Sequence, residues 1–188
     1  MASNRALLLA LLIPAGFGLV FFRRASHFKA AAATRRPATK DAGDALMDVL
    51  DIEACRGKRV ALYFAAGWCP MCTGFEPSLI AFRAAAAVST SATAVELVYV
   101  GSDGNDAAVA ARAKRLGMAY VPPGAASELK KRFKVWAGKE SGLYGSGRRS
   151  GVPALVVLTQ AGDEAQFLAA ESRGAAALND WREEDVWN

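Results

Sequence analysis

Cys69 and Cys72, separated only by Pro70 and Met71, are the residues of this chain whose type and spacing could do chemistry. Two thiols at this spacing can close into a disulfide and reopen. On a helix the spacing brings them to one side, with the first at the exposed end. Pro70 stands where a helix tolerates proline, at its first position. The thiolate is the reactive form, and the unpaired N–H groups and dipole at a helix N-terminus favour negative charge there. Cys69 is therefore the expected nucleophile, attacking a partner disulfide to give a mixed disulfide. Cys72, deeper in the helix, is the expected resolving thiol, attacking Cys69 and releasing the partner as a dithiol. Trp68 supplies a flat apolar surface beside the sulfur.

Two other readings of the pair compete with this one. A C-x-x-C pair is also half of a zinc site, but zinc needs about four ligands. Only Cys55 and His27 are available besides, so no metal is assigned. Two unrelated core cysteines are the remaining alternative, and Trp-Cys-Pro between a strand and a helix argues against it. Cys55 reads as a small buried thiol. The exchange chemistry needs no bound cofactor.

The elements that must position the pair can be read on either side of it. Val60 to Phe64 is a short apolar run with β-branched and aromatic members, which suits a strand covered on both faces. A helix is expected from about Pro70 to Ala87, bending at Pro77, which has no N–H to donate. Val95 to Val100 reads as the next strand, and Ser102 to Asp106 offers capping residues for an alanine-rich helix to about Leu116. Ala126 to Val135 reads as a short helix. Trp136 to Ser150, with four glycines, reads as a loop in which specificity could reside. A strand is expected from Pro153 to Leu158, a turn at Gln160 to Asp163, a last strand to Ala170 and a closing helix from Gly174 to Trp181. Ahead of all these, Asp44 to Cys55 reads as an amphipathic helix or turn-rich lead-in.

The length of 188 residues suits one domain with an appendage, and a hydrophobic content of 53% is ample for its core. The formal net charge of +5 is misleading about partners. Residues 1–40 hold seven Lys or Arg and no Asp or Glu, which leaves 16 basic against 18 acidic residues over 41–188. The positive charge thus belongs to the N-terminal segment and is no argument for nucleic-acid binding. From Glu128 to Arg149 the chain carries seven basic and two acidic residues, by default a solvated face and otherwise a docking patch for an anionic partner.

Ala6 to Phe22 is apolar or small throughout, preceded by Arg5 and followed by Arg23-Arg24. This is the pattern of a signal-peptide core or of a short membrane span, which would give the protein a membrane contact. The acid-poor Arg/Ala/Thr segment after it has transit-peptide composition. Residues 1–40 are therefore expected to be a targeting or anchoring segment, with a soluble domain over 41–188. Delivery to an organelle, plain secretion and single-pass anchoring are the three open destinations.

The run Tyr63-Phe64-Ala65-Ala66-Gly67-Trp68-Cys69-Pro70-Met71-Cys72, followed by Gly74-Phe75, Pro77 and Leu79, resembles the tryparedoxin and nucleoredoxin branch of the thioredoxin superfamily. The usual form there is Trp-Cys-Pro-Pro-Cys-Arg-Gly-Phe-x-Pro-x-Leu, so Met71 and Thr73 depart from it. Ordinary thioredoxins carry a buried aspartate where Tyr63 stands, which removes the usual candidate for a proton acceptor near Cys72. Leu116, Gly117 and Met118 replace a Met-Pro-Trp that lies near the active site in tryparedoxins. Gly151-Val152-Pro153 resembles the family's cis-proline loop, and residues 136–150 are an insertion relative to the branch. The N-terminal segment, with Ala25-Ser26-His27-Phe28, is similar to the two-part presequences of secondary plastids.

The resemblance implies an α/β, thioredoxin-like fold: a central mixed β-sheet flanked by helices. It also implies that Trp68, Pro70, Val152 and Pro153 contact the substrate around Cys69 and Cys72. The expected function is thiol–disulfide exchange, reducing disulfides in partner proteins, with an upstream dithiol or dithiol reductase restoring the pair. Two alternatives stay open from sequence: a membrane-tethered reductase for cytochrome assembly, whose usual Trp-Cys-x-Pro-Cys is absent, and a non-catalytic redox-responsive binding protein.

Overall fold

The computed structural model describes residues 46–47, 50–89, 93–184 and 186–188. The expectations for residues 1–40, including Ala6–Phe22, the segment around His27 and the proposed domain start near Asp41, lie outside the described residues.

Strand β1 (Lys58–Ala65) is the axis of the sheet, and every residue in it after Lys58 is buried. It pairs in parallel with β2 (Ala94–Gly101), Val60 opposite Glu96 and Ala65 opposite Gly101. On its other side it pairs antiparallel with β4 (Ala154–Leu158), Val60 opposite Leu158 and Phe64 opposite Ala154. The two-residue β3 (Ala119–Tyr120) extends the sheet beside β2, and β5 (Glu164–Leu168) closes the other edge, giving the order β3-β2-β1-β4-β5. All five residues of β4 are buried, whereas β5 is only partly covered, as an edge strand should be.

Helices cover both faces, and two neighbouring aromatic residues show it. Successive side chains of a strand point to opposite faces. Tyr63 meets Phe75 of α2 (Pro70–Val88) with ring centroids 6.1 Å apart, while Phe64 meets Phe133 of α4 (Pro123–Phe133) at 6.3 Å. Each such apolar side chain, fully buried, stabilises the fold by about 1.5–3 kcal/mol. This is the mixed-sheet α/β arrangement expected from sequence.

The helix ends follow the capping chemistry of the sequence. Asn105 accepts a hydrogen bond from the backbone N–H of Ala108 at 2.9 Å and opens α3 (Asp106–Leu116), which stops at left-handed Gly117. Of the lead-in to β1, Leu46 and Met47 are helical and a further helical turn, α1 (Ile52–Cys55), is capped by Asp51, with Leu46, Leu50 and Cys55 buried. Helix α2 runs on with Pro77 inside it, on its exposed side.

Several boundaries differ from the sequence expectation. Helix α4 begins at Pro123 rather than Ala126, because a proline needs no partner for its missing N–H in the first turn. It ends at Phe133 because Lys134 turns left-handed and returns its N–H to Lys130 and Lys131, which frees Val135 to bridge with Ser150. The last strand stops at Leu168 and gives way to a short helical turn, α6 (Ala170–Arg173), and the closing helix expected from Gly174 to Trp181 is a 3-10 helix over Gly174–Asp180.

The stretch from Trp136 to Ser150 is structured rather than an open loop. Its base is tied by the Val135–Ser150 bridge and by the Arg149 N–H donating to the Lys134 carbonyl at 2.7 Å. Within it lie a 3-10 turn over Gly138–Glu140 and α5 (Ser141–Tyr144), with Trp136 packed on Tyr144 at 5.6 Å. At the far end of the sheet, buried Arg59 lies 5.8 and 5.5 Å from the stacked rings of Phe82 and Trp181. Trp187 there donates its indole N–H to the Leu158 carbonyl and its backbone N–H to the Lys58 carbonyl, joining β1 to β4.

Candidate active site

β1 and β2 run parallel and end together, and the chain leaves β1 through Ala66-Gly67-Trp68 into Cys69. The Ser102 N–H donates to the Ala65 carbonyl at 2.9 Å, so the turn after β2 lies against the turn after β1. A crevice beyond the carboxyl ends of parallel strands is the usual place for a site in such a sheet. β4 runs the other way, so its first residue, Ala154, lies beside Phe64 and brings Val152-Pro153 to the same end.

Cys69 is the N-cap of α2. Its sulfur accepts from the Cys72 backbone N–H at 3.4 Å, and its thiol donates to the Val152 carbonyl oxygen at 3.6 Å. Cys69 keeps 7% of its surface exposed, whereas Cys72 has none. Both are free thiols. Burial pushes the Cys72 thiol well up, with the hydrogen bond to Cys69 and then the charge of Glu76 adding in the same direction. The helix thus presents one thiol at its tip and stores the second, protonated, behind it.

All six residues singled out from sequence meet here. Trp68 (41% exposed), Pro70 and Met71 (49% exposed) form the outer rim around Cys69. Val152 and Pro153 form the buried wall on the other side, and the Val152-Pro153 peptide is cis. Leu116, Gly117 and Met118 do not reach this rim. Leu116 and Met118 are buried, and Arg83, well down α2 from Cys69, donates to the carbonyls of Leu116 and Gly117 at 2.9 and 3.1 Å.

A buried polar layer behind the turn was not found from sequence. Asp103 accepts from the Gly67 N–H at 2.8 Å and from the Tyr99 hydroxyl at 2.7 Å, so both its oxygens are engaged. Tyr63 donates its hydroxyl to the Cys72 carbonyl at 3.5 Å. Burial holds both phenols protonated, well above the usual tyrosine range. Below Cys72 on the same helix, Glu76 is only 6% exposed and pairs with Arg112 of α3. Its one sequence signal is its place four residues after Cys72, an acidic residue inside an otherwise apolar helical stretch.

The Trp136–Ser150 stretch also reaches the site. Glu140 accepts from the Ser102 hydroxyl at 2.8 Å, the Ala137 N–H at 2.9 Å and the Lys130 ammonium at 2.5 Å, while Lys130 also donates to the Gly101 carbonyl at 2.9 Å. Ser102 in turn accepts the Trp68 indole N–H on its carbonyl at 2.9 Å. Next to Glu140, the Lys139 ammonium lies 4.0 Å from the centre of the Trp68 ring, within cation–π distance. Six of the seven basic residues of the stretch are exposed, as the solvated-face reading expects, but most are paired rather than free to form an anion patch. Lys130 is buried, and Lys131, Arg132, Arg148 and Arg149 pair with Glu128, Asp163, Glu171 and Glu164.

Cys55 takes no part in this. It closes α1 at the opposite end of β1, fully buried, and burial followed by the charge of Glu96 pushes its thiol up to about 11. Among the described residues no group of three or more His, Cys, Asp or Glu is placed to hold a metal ion, and no helix is long and apolar enough to cross a membrane.

The fold and this paired-thiol site define a thioredoxin-like protein. The chain belongs to the thioredoxin-like family, whose sequence model matches residues 57–164. Tryparedoxin I from Leishmania major is 23% identical, with a TM-score of 0.50 over 72% of this chain and 86% of that one. A mutant tryparedoxin I is 22% identical, with a TM-score of 0.53 over 73% and 86%. A tryparedoxin from Trypanosoma brucei is 26% identical, with a TM-score of 0.44 over 64% and 72%. No curated protein matches the chain. The protein therefore has a thioredoxin-like oxidoreductase fold with a C-x-x-C cysteine pair.

Proposed function

We propose that this protein reduces disulfides in partner proteins, with Cys69 as nucleophile and Cys72 as resolving thiol. The observation that carries the reading is the inequality of the two sulfurs: Cys69 caps a helix at the surface with its sulfur against the Val152 backbone, and Cys72 is sealed behind it. An extended partner segment entering between Trp68 and Val152 would meet Cys69 first, with main-chain groups at hand to align it.

The exchange balances without a further reactant. The Cys69 thiolate attacks one partner sulfur, forming an intermolecular S–S bond and releasing the other partner sulfur as a thiolate, which takes a proton from water. Cys72 gives up its proton and attacks Cys69; the intermolecular bond breaks and the second partner thiolate leaves. The partner gains two electrons, and Cys69–Cys72 becomes a disulfide that an upstream dithiol or dithiol reductase must reopen. Residues 1–40 would deliver the domain to its compartment, an organelle being the reading their composition supports best.

A Cys72→Ser variant carrying the native N-terminal segment tests the scheme. It should accumulate partners covalently held on Cys69 and released by dithiothreitol. Recovery of no mixed disulfide, or of partners held on Cys55, would sink the assignment. The captured partners would also identify the compartment.

A further inference from the structure

The resolving step needs a group that takes the proton of Cys72, and the position where ordinary thioredoxins hold a buried aspartate is Tyr63. That phenol donates to the Cys72 carbonyl and is held protonated by burial, so it cannot serve. Asp103 has both oxygens engaged by Gly67 and Tyr99, and the Tyr99 hydroxyl is committed to Asp103 and to the Ala65 carbonyl.

Glu76 is different. It follows Cys72 by four residues on α2, the spacing that places two side chains on one helical face, about 5–6 Å apart at Cβ. Its Oε2 is held by Arg112, while its Oε1 is buried without a hydrogen-bond partner. A buried carboxylate oxygen left unpaired is costly, and a proton supplied to it relieves that cost. Arg112 comes from α3 and passes beneath Gly67, its Cδ 3.5 Å from where a side chain on Gly67 would begin, so the pair lies directly behind the active-site turn. The groups that interact with Glu76 are thus Cys72 on its own helix, Tyr63 from β1, and Arg112 from α3.

We propose that the Glu76 carboxylate, oriented by Arg112, accepts the proton of Cys72 in the resolving step. This rests on the exchange scheme above. The proton moves from the Cys72 sulfur to Glu76, directly or through one water, as Cys72 attacks Cys69 and the partner thiolate leaves. Glu76 returns its proton to solvent once the Cys69–Cys72 disulfide has formed.

An aryl disulfide whose thiolate absorbs visible light separates the two half-reactions. On a Cys55→Ala background, the first coloured thiolate reports attack by Cys69 and the second reports resolution by Cys72. With Glu76→Gln the first phase should keep its rate, and the second should slow by about 100-fold, the usual worth of a positioned base. The slowed phase should rise about tenfold per pH unit, because hydroxide then removes the proton. Glu76→Asp should recover part of the rate. A second phase that is unchanged or faster in Glu76→Gln overturns the inference, since loss of a nearby negative charge by itself makes Cys72 easier to ionise. Should the unpaired Arg112 prevent folding, Glu76→Gln with Arg112→Met removes both charges and must show the same slow second phase. A wild-type protein giving a first phase and no second would overturn the exchange scheme, and this inference with it.

Discussion

The Cys69 thiol sulfur lies 3.6 Å from the carbonyl oxygen of Val152, a residue 83 positions further along the chain. The antiparallel register of β4 on β1 creates that proximity: Ala154 must sit beside Phe64, so the two residues before Ala154 fall at the mouth of the turn that ends in Cys69. The sheet itself therefore holds the thiol against the Val152 backbone.

From this placement Cys69→Ser should reduce disulfide reduction to background. Cys55→Ser should leave the turnover rate within about twofold, because Cys55 sits at the other end of β1 and exchange depends on access. Turnover of a small disulfide-bonded protein with dithiothreitol as donor measures both. Equal loss in the two variants would mean that Cys55 belongs to the exchange pathway.

Cys55 should instead show in stability at alkaline pH. Its thiol titrates at 9.0 when unfolded and at about 11 when folded, so the native state holds the proton more tightly. Stability from this group is fully present below the unfolded value and falls as the pH climbs from there to the folded value, by about 3 kcal/mol in all. Urea unfolding of wild type and Cys55→Ala across that window should give curves that converge as the pH rises. Parallel curves would show that the buried thiol is not what titrates.

Glu140→Gln should destabilise the fold by about 3–5 kcal/mol, because it strands the ammonium of Lys130 in a buried position. Lys130 is only 4% exposed, and the introduced amide would keep the bonds to Ser102 and Ala137 while losing the charge. Adding Lys130→Met should recover most of the loss, which chemical denaturation would measure. A loss below about 1 kcal/mol for the single change would show that water reaches the ammonium.

Much of this molecule was legible in its sequence where the signal is local. Val60 to Phe64 could only be a covered strand, Pro70 marks a helix start, Asn105 a cap, and the two thiols one turn apart mark the reactive centre. The unread parts depend on residues far apart in the chain. Glu76 and Arg112 are 36 positions apart, and neither reveals its burial without the other. Arg59 looks like a strand-end surface residue, yet it is enclosed by Phe82 and Trp181. The glycines of 136–150 suggested an irregular loop, whereas Glu140, one of only two acids in a basic stretch, gathers that segment onto Ser102 and Lys130.

Trp68 is partly exposed, while the chain's other tryptophans, Trp136, Trp181 and Trp187, are buried. A water-soluble collisional quencher would accordingly extinguish the emission of Trp68 and leave the rest glowing. Iodide would be drawn to it by the ammonium of Lys139 and so outperform an uncharged quencher of equal size. The protein carries a native optical reporter at the lip of its reactive cleft, and shielding of that one indole would register each partner's arrival without a label.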